Sequence, residues 1–176
     1  MNLAPQGGSN FAMKKLLLLG ALVAGLSGCA GGFAGSYDVA PGTPRQQVVE
    51  RLGPPSAVVP LPGGGQRLQY SQQPVGRYAW MVDVDAAGTV IGSRQALTIG
   101  NFNRIQPGWT LTDVEREFGR PAWVDRVASW SGPVLTYRWR DVQNSDMFYW
   151  VYLDANNVVQ RAHPGMEFIN APNDRN

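Results

Sequence analysis

The chain has 176 residues, enough for one domain of ordinary size behind a leader, with 15 basic and 13 acidic side chains. Its only lysines are Lys14 and Lys15, so beyond them 13 arginines face 13 carboxylates, and no basic surplus marks a nucleic-acid partner. A single cysteine, Cys29, excludes an internal disulfide. A single histidine, His163, argues against a zinc site or a histidine-activated nucleophile.

Lys14-Lys15, the apolar run Leu16-Leu17-Leu18-Leu19-Gly20-Ala21-Leu22-Val23, and small residues leading to Cys29 form the n-region, h-region and exit of a secretory signal. The run is too short for a comfortable membrane span. Met1–Ala12 is polar and lacks lysine and arginine, so translation is expected to start at Met13. Leu26-Ser27-Gly28-Cys29 resembles the lipobox of bacterial lipoproteins. The resemblance implies cleavage before Cys29, lipidation of its thiol, N-acylation, and an outer membrane anchor with the body facing the periplasm. On this reading 1–28 is the signal peptide. Residues 29–36, rich in glycine, are a flexible tether reaching about 15 Å.

An internal repeat follows. Pro41-Gly42-Thr43 through Gly53-Pro54-Pro55 matches Pro107-Gly108-Trp109 through Gly119-Arg120-Pro121 at an offset of 66. Tyr78–Asp85 then matches Met147–Asp154 at 69, and pairing Tyr70 with Trp139 at 69 implies a three-residue insertion after Gly119. In each copy a short helix is expected. Thr43 with Gln46 and Thr110 with Asp113 have capping-box spacing, and Pro44 suits the first helical position. Val48 and Leu52, and Leu111, Val114 and Phe118, form apolar stripes. Gly53 and Gly119 are placed to end the helices in a left-handed conformation.

Strands are expected at 56–60, 66–71, 77–85 and 89–97 in the first copy, and at 122–129, 134–140, 147–154 and 157–162 in the second, separated by Gly-, Asn- and Asp-rich turns. A further short helix is expected at 98–105. The fold class is therefore α+β, with short helices on one face of an antiparallel meander in each unit. The units are 37–98 and 99–169, followed by a polar tail at 170–176.

The doubled pattern Gly-x-Thr-x-x-x-Val-x-x-x-Phe/Leu-Gly-x-Pro followed by an aromatic strand is similar to the BamE (SmpA/OmlA) outer membrane lipoproteins. Two such units in tandem resemble the β-lactamase inhibitor protein family. The first resemblance implies a scaffold in envelope assembly or integrity, with the β-barrel assembly machinery as a partner. The second implies an inhibitor or sensor that grips a periplasmic enzyme or ligand on its helix-free sheet face.

Strand alternation puts Leu135, Tyr137, Trp139, Met147, Tyr149, Val151 and Leu153 in the core. Arg138, Arg140, Phe148, Trp150 and Tyr152 fall on the opposite face, a composition found at protein-binding hot spots. The other reading of this set is packing against the first unit or the C-terminal segment. The matching positions of the first unit, Arg67, Gln69, Ala79, Met81 and Asp83, are far less aromatic. Asp83 and Asp85 read as turn residues, Arg116 as part of a solvated helix face, and His163 as a residue of the C-terminal loop. No catalytic constellation, metal-ligand set or cofactor motif accompanies them; the only non-protein group expected is the lipid on Cys29.

Overall fold

The computed structural model describes residues 1–2 and 37–167. The signal sequence, Cys29 and its tether, and the tail lie outside the described residues. Tyr37 to Glu167 belong to one compact unit. No helix of the described residues is long and apolar enough to cross a membrane.

The first half runs α1 (Arg45–Leu52), β1 (Ala57–Pro60), β2 (Gln66–Ser71), β3 (Ala79–Val84) and β4 (Val90–Gln95). The second adds a four-residue helix, α2 (Ile99–Phe102), then α3 (Leu111–Phe118), β5 (Trp123–Arg126), β6 (Pro133–Arg140), β7 (Asp146–Leu153) and β8 (Val159–Met166). The strands form two separate four-stranded antiparallel meanders, β1-β2-β3-β4 and β5-β6-β7-β8. The class is mixed α+β.

The caps divide the expectations. Thr110 and Asp113 do form a reciprocal capping box, but α1 has no side-chain cap: Pro44 holds the N-cap position and the Thr43 hydroxyl instead donates to Ala40 O at 2.7 Å. Gly53 and Gly119 end their helices with φ of 80° and 78° and ψ of −174°. That combination is not the left-handed helical well but a region open essentially to glycine alone. The last strand runs to Met166 rather than to residue 162. β8 is an edge strand, where Pro164 need not donate to a neighbour.

The ladders also correct the placing of the insertion. Ala57 pairs with Gln69 as Trp123 pairs with Thr136, so Tyr70 is equivalent to Tyr137 and not to Trp139. The two tyrosines do the same work, donating to Gly53 O at 3.2 Å and to Gly119 O at 2.8 Å. One extra residue therefore lies in the β5–β6 turn. Two more lie in the β6–β7 hairpin, because Tyr70 faces Trp80 while Tyr137 faces Tyr149.

The second correction is to the layering. The helix-free face of the first sheet is not open; α3 lies against it. Arg67 Nη1 donates to Arg116 O (3.0 Å) and Gln69 Nε2 to Glu115 O (2.8 Å), taking carbonyls at the C-terminal end of α3. Ala79 and Met81 share one apolar core with Val114, Phe118, Leu135, Tyr137, Trp139, Tyr149, Val151 and Leu153. The order of layers is α1, first sheet, α3, second sheet. Phe102, delivered by α2, is the hinge pin of this core: its ring stacks 4.1 Å from Tyr149 and 5.0 Å from Phe118. A smaller core of Val39, Val48, Leu68, Tyr70, Val82, Val84 and Val90 lies under α1.

Candidate protein-binding face

Because α3 fills the space between the sheets, the helix-free face of the second sheet has no helix on it among the described residues. Its residues follow from the ladders: Trp123 and Asp125 on β5, Val134, Thr136, Arg138 and Arg140 on β6, Phe148, Trp150 and Tyr152 on β7, and Arg161, His163 and Gly165 on β8. Phe148, Trp150 and Tyr152 therefore lie on the side away from the first sheet, as alternation implies. They are half-buried by one another and by neighbours on the same face.

The rings form a continuous strip. Trp123 meets Phe148 edge-on at 5.5 Å, Phe148 meets Trp150 at 5.7 Å, and Trp150 and Tyr152 each meet the His163 ring at 5.4 Å. Trp130, from the β5–β6 turn, closes the far end against Tyr152 at 5.4 Å, its indole N–H donating to Leu153 O. The Arg161 guanidinium lies 4.1 Å over the Tyr152 ring, a cation–π contact. Trp150 lies across Gly165: a Cβ there would come within 2.2 Å of the indole. That glycine is what lets the ring lie down on β8.

Arg138 and Arg140 do not join the strip. Arg140 pairs with Asp146 at 2.7 Å, and the hydrogen bond to Arg140 holds the Asp146 carboxyl below its usual pKa. Arg138 is taken by Glu167 and by Pro74 O at 3.0 Å. The Gln73 side chain completes the clasp, donating to Arg138 O at 2.7 Å and accepting from Arg138 N at 3.1 Å, as a neighbouring strand would. Arg77 adds pairs to Asp146 (3.2 Å) and Glu167 (2.9 Å). These groups fasten the β2–β3 hairpin to the rim of the second sheet.

The polar residues of the first sheet have a different task. Arg67, only 6% exposed, binds Asp83 at 2.6 Å and Glu117 at 2.7 Å, and Arg94 binds Glu117 at 2.6 Å. Burial opposes the charge on Arg67, but its hydrogen bonds to Asp83 and Glu117, with their negative charge, outweigh it and leave its pKa above the ordinary value. Asp83 is therefore an ion-pair partner and not a turn residue. Asp85 does hold its turn, accepting from Thr89 N at 2.8 Å, as Asp154 accepts from Val158 N at 3.0 Å. Arg116 pairs with Asp113, while its neighbour Glu117 is drawn into the inter-sheet cluster, so this helix face is not simply solvated. His163 is exposed but sits on β8, not in a loop.

Sequence reading missed Trp123, Trp130, Arg161 and His163 as parts of this face. Ending the last strand at residue 162 left His163 out, and no local pattern places the Trp130 turn over Tyr152. Extending the alternation of β8 by one step would have found His163 opposite Trp150.

No known family profile matches the chain, and no curated protein matches it. Among solved structures, an extracellular protein containing an SCP domain from Bacillus anthracis is similar over 82% of this chain, with 11% identity and a TM-score of 0.31. The chain spans about half (50%) the length of that protein. A likeness at that level carries no argument about fold or function.

Proposed function

We propose that this chain is a non-catalytic outer membrane lipoprotein of two BamE-like units, anchored through lipid on Cys29, that binds a protein partner in envelope assembly or integrity. The observation that carries the reading is the aromatic strip of the second sheet. Six rings on one helix-free face, with an arginine over two of them, have the composition of an interface core. Phe148, Trp150 and Tyr152 form its centre. Arg138 and Arg140 serve as rim residues already positioned by their ion pairs. The doubled helix-and-meander pattern supports the BamE-like assignment, and the Leu-Ser-Gly-Cys motif supports the anchor.

The test is copurification of tagged, acylated protein from gently solubilised envelopes, with Trp150→Ala and Gly165→Ala beside the wild type. Gly165→Ala keeps every ring but displaces Trp150, so it separates the shape of the strip from its composition. Recovery of barrel-assembly components by the wild type, lost in both variants at unchanged unfolding midpoint, is the expected result. A partner retained by both variants refutes the assignment of the face. A soluble enzyme recovered instead moves the reading to an inhibitor.

A further inference from the structure

A second candidate site lies on the opposite side of the second sheet from the aromatic strip, where α3 and the α2–α3 connection border an open recess of about 440 Å³. Its lining is Arg104, Gly108, Trp109, Asp113, Arg116 and Glu117. Clefts of this size hold small organic ligands.

The charges in its lining are not equally engaged. Both carboxylates in the lining are already engaged. Asp113 closes the capping box, with Thr110 N and Oγ1 donating to its Oδ2, while its Oδ1 takes Arg116 at 2.8 Å. Those bonds, led by the one from the Thr110 hydroxyl, keep its pKa low, so it stays an anion committed to its own helix. Glu117 gives Oε1 to Arg67 and Oε2 to Arg94.

Arg104 comes last in this queue. Its ion-pair partner is the same Glu117 Oε2, at 3.6 Å, beyond hydrogen-bond reach, and its side chain is 52% exposed. Arg94 Nη1 is buried with no acceptor among the described residues. Burial and the positive charge of Arg67 already disfavour the charge on Arg94. Three arginines, at 67, 94 and 104, thus share the Glu117 carboxylate, and Arg104, the one that lines the recess, is held by the longest contact of the three.

We infer that this recess binds a small organic monocarboxylate, held by Arg104 in a charge-assisted hydrogen bond with its apolar part against Trp109. A half-exposed guanidinium with no hydrogen bond among the described residues matches a carboxylate in charge and in fork geometry. Trp109 supplies the face that an apolar or aromatic body covers. The site is independent of the aromatic strip, and the proposed function can fail without affecting it.

The test is two-dimensional NMR of the intact body, following the Trp109 indole N–H and the Arg104 Nε–H. Benzoate, acetate and inorganic phosphate are titrated at constant ionic strength against sodium chloride. Benzoate is expected to move both signals saturably and more tightly than acetate. Arg104→Gln weakens benzoate binding about tenfold or more, as loss of a charge-assisted bond does. Arg120→Gln, an exposed arginine outside the recess lining, leaves it unchanged. Arg104 is half exposed, so its variant keeps the fold, and an otherwise unchanged spectrum verifies that. Trp109→Ala removes the preference for benzoate over acetate. Shifts that do not saturate, that chloride reproduces, or that persist in Arg104→Gln overturn the inference. Phosphate binding tighter than benzoate overturns the monocarboxylate class.

Discussion

Replacing Arg67 with methionine tests whether polar chemistry holds the two sheets around α3. The side chain is 8% exposed and makes four bonds outside its own strand: two to Asp83 and, through Nη1, one each to Glu117 and Arg116 O. Methionine fills most of the volume but satisfies none of these. Removing one partner of a buried ion pair costs about 3–5 kcal/mol, because the other charge stays buried and unpaired. Here Glu117 keeps Arg94, and Asp83 and Glu117 are 24% and 23% exposed, so water partly screens both. The expected loss is therefore at the low end, about 3 kcal/mol.

Urea unfolding followed by tryptophan fluorescence reads this loss directly. The double variant Arg67→Met/Asp83→Leu removes the stranded charge and is expected to recover more than half of it, since replacing both members by apolar groups is often neutral. A loss below about 1 kcal/mol for Arg67→Met, the range of exposed pairs, would refute the reasoning and leave α3 held by apolar packing alone.

Two further outcomes follow from buried or capping groups. Tyr137 is fully buried and burial pushes its phenol well above the ordinary value, so the unfolded chain ionises first and stability falls as pH rises past about 10. Tyr137→Phe is expected to lose about 1–3 kcal/mol at neutral pH, leaving Gly119 O without its donor, yet to show a shallower alkaline decline in denaturant midpoint. At the acid end, the depressed pKa values of Asp113 and Asp146 give stability that is present above about pH 4 and is lost as pH falls through their folded values. Thr110→Ala removes the cap and costs about 1 kcal/mol at pH 7. The cost shrinks when the midpoint is measured in acid, where Asp113 is protonated.

How much of this was legible depended on whether the cause was local. The α3 cap, the glycine positions that end the two helices (though not their conformation), the Asp85 and Asp154 turns and the core face of β6 and β7 are each set by residues a few positions apart, and they stand as read. The shifts that failed involve longer range. Trp139 is aromatic like Tyr70, so the alignment slid by two residues; only the shared bond to a helix-end glycine carbonyl identifies Tyr137 as its equivalent. The polar face of the first sheet read only as less aromatic than its counterpart, because Arg67, Gln69 and Asp83 are what an exposed strand usually carries. Arg67 and Gln69 find their partners at the end of a helix 46 to 50 residues away, and Asp83 pairs with Arg67; nothing in a single strand announces that.

The two sheet faces show how one geometry serves different ends. Equivalent positions exchange Ala79 for Phe148, Met81 for Trp150 and Asp83 for Tyr152 on the third strand of each sheet, and Arg67 for Val134 and Gln69 for Thr136 on the second. A helix end can approach the first sheet because Ala79 is small and because Arg67 and Gln69 donate to its last carbonyls. On the second sheet a phenylalanine occupies the approach, valine offers no donor, and the Thr136 hydroxyl is spent on Asp125 at 3.2 Å. A second copy that presented α1 as α3 is presented to the first sheet would meet bulk where it needs space and leave its carbonyls unpaired. Such head-to-tail contacts build open filaments when they repeat. Rings on the terminal face leave no room for a helix end of the kind that the first sheet accepts.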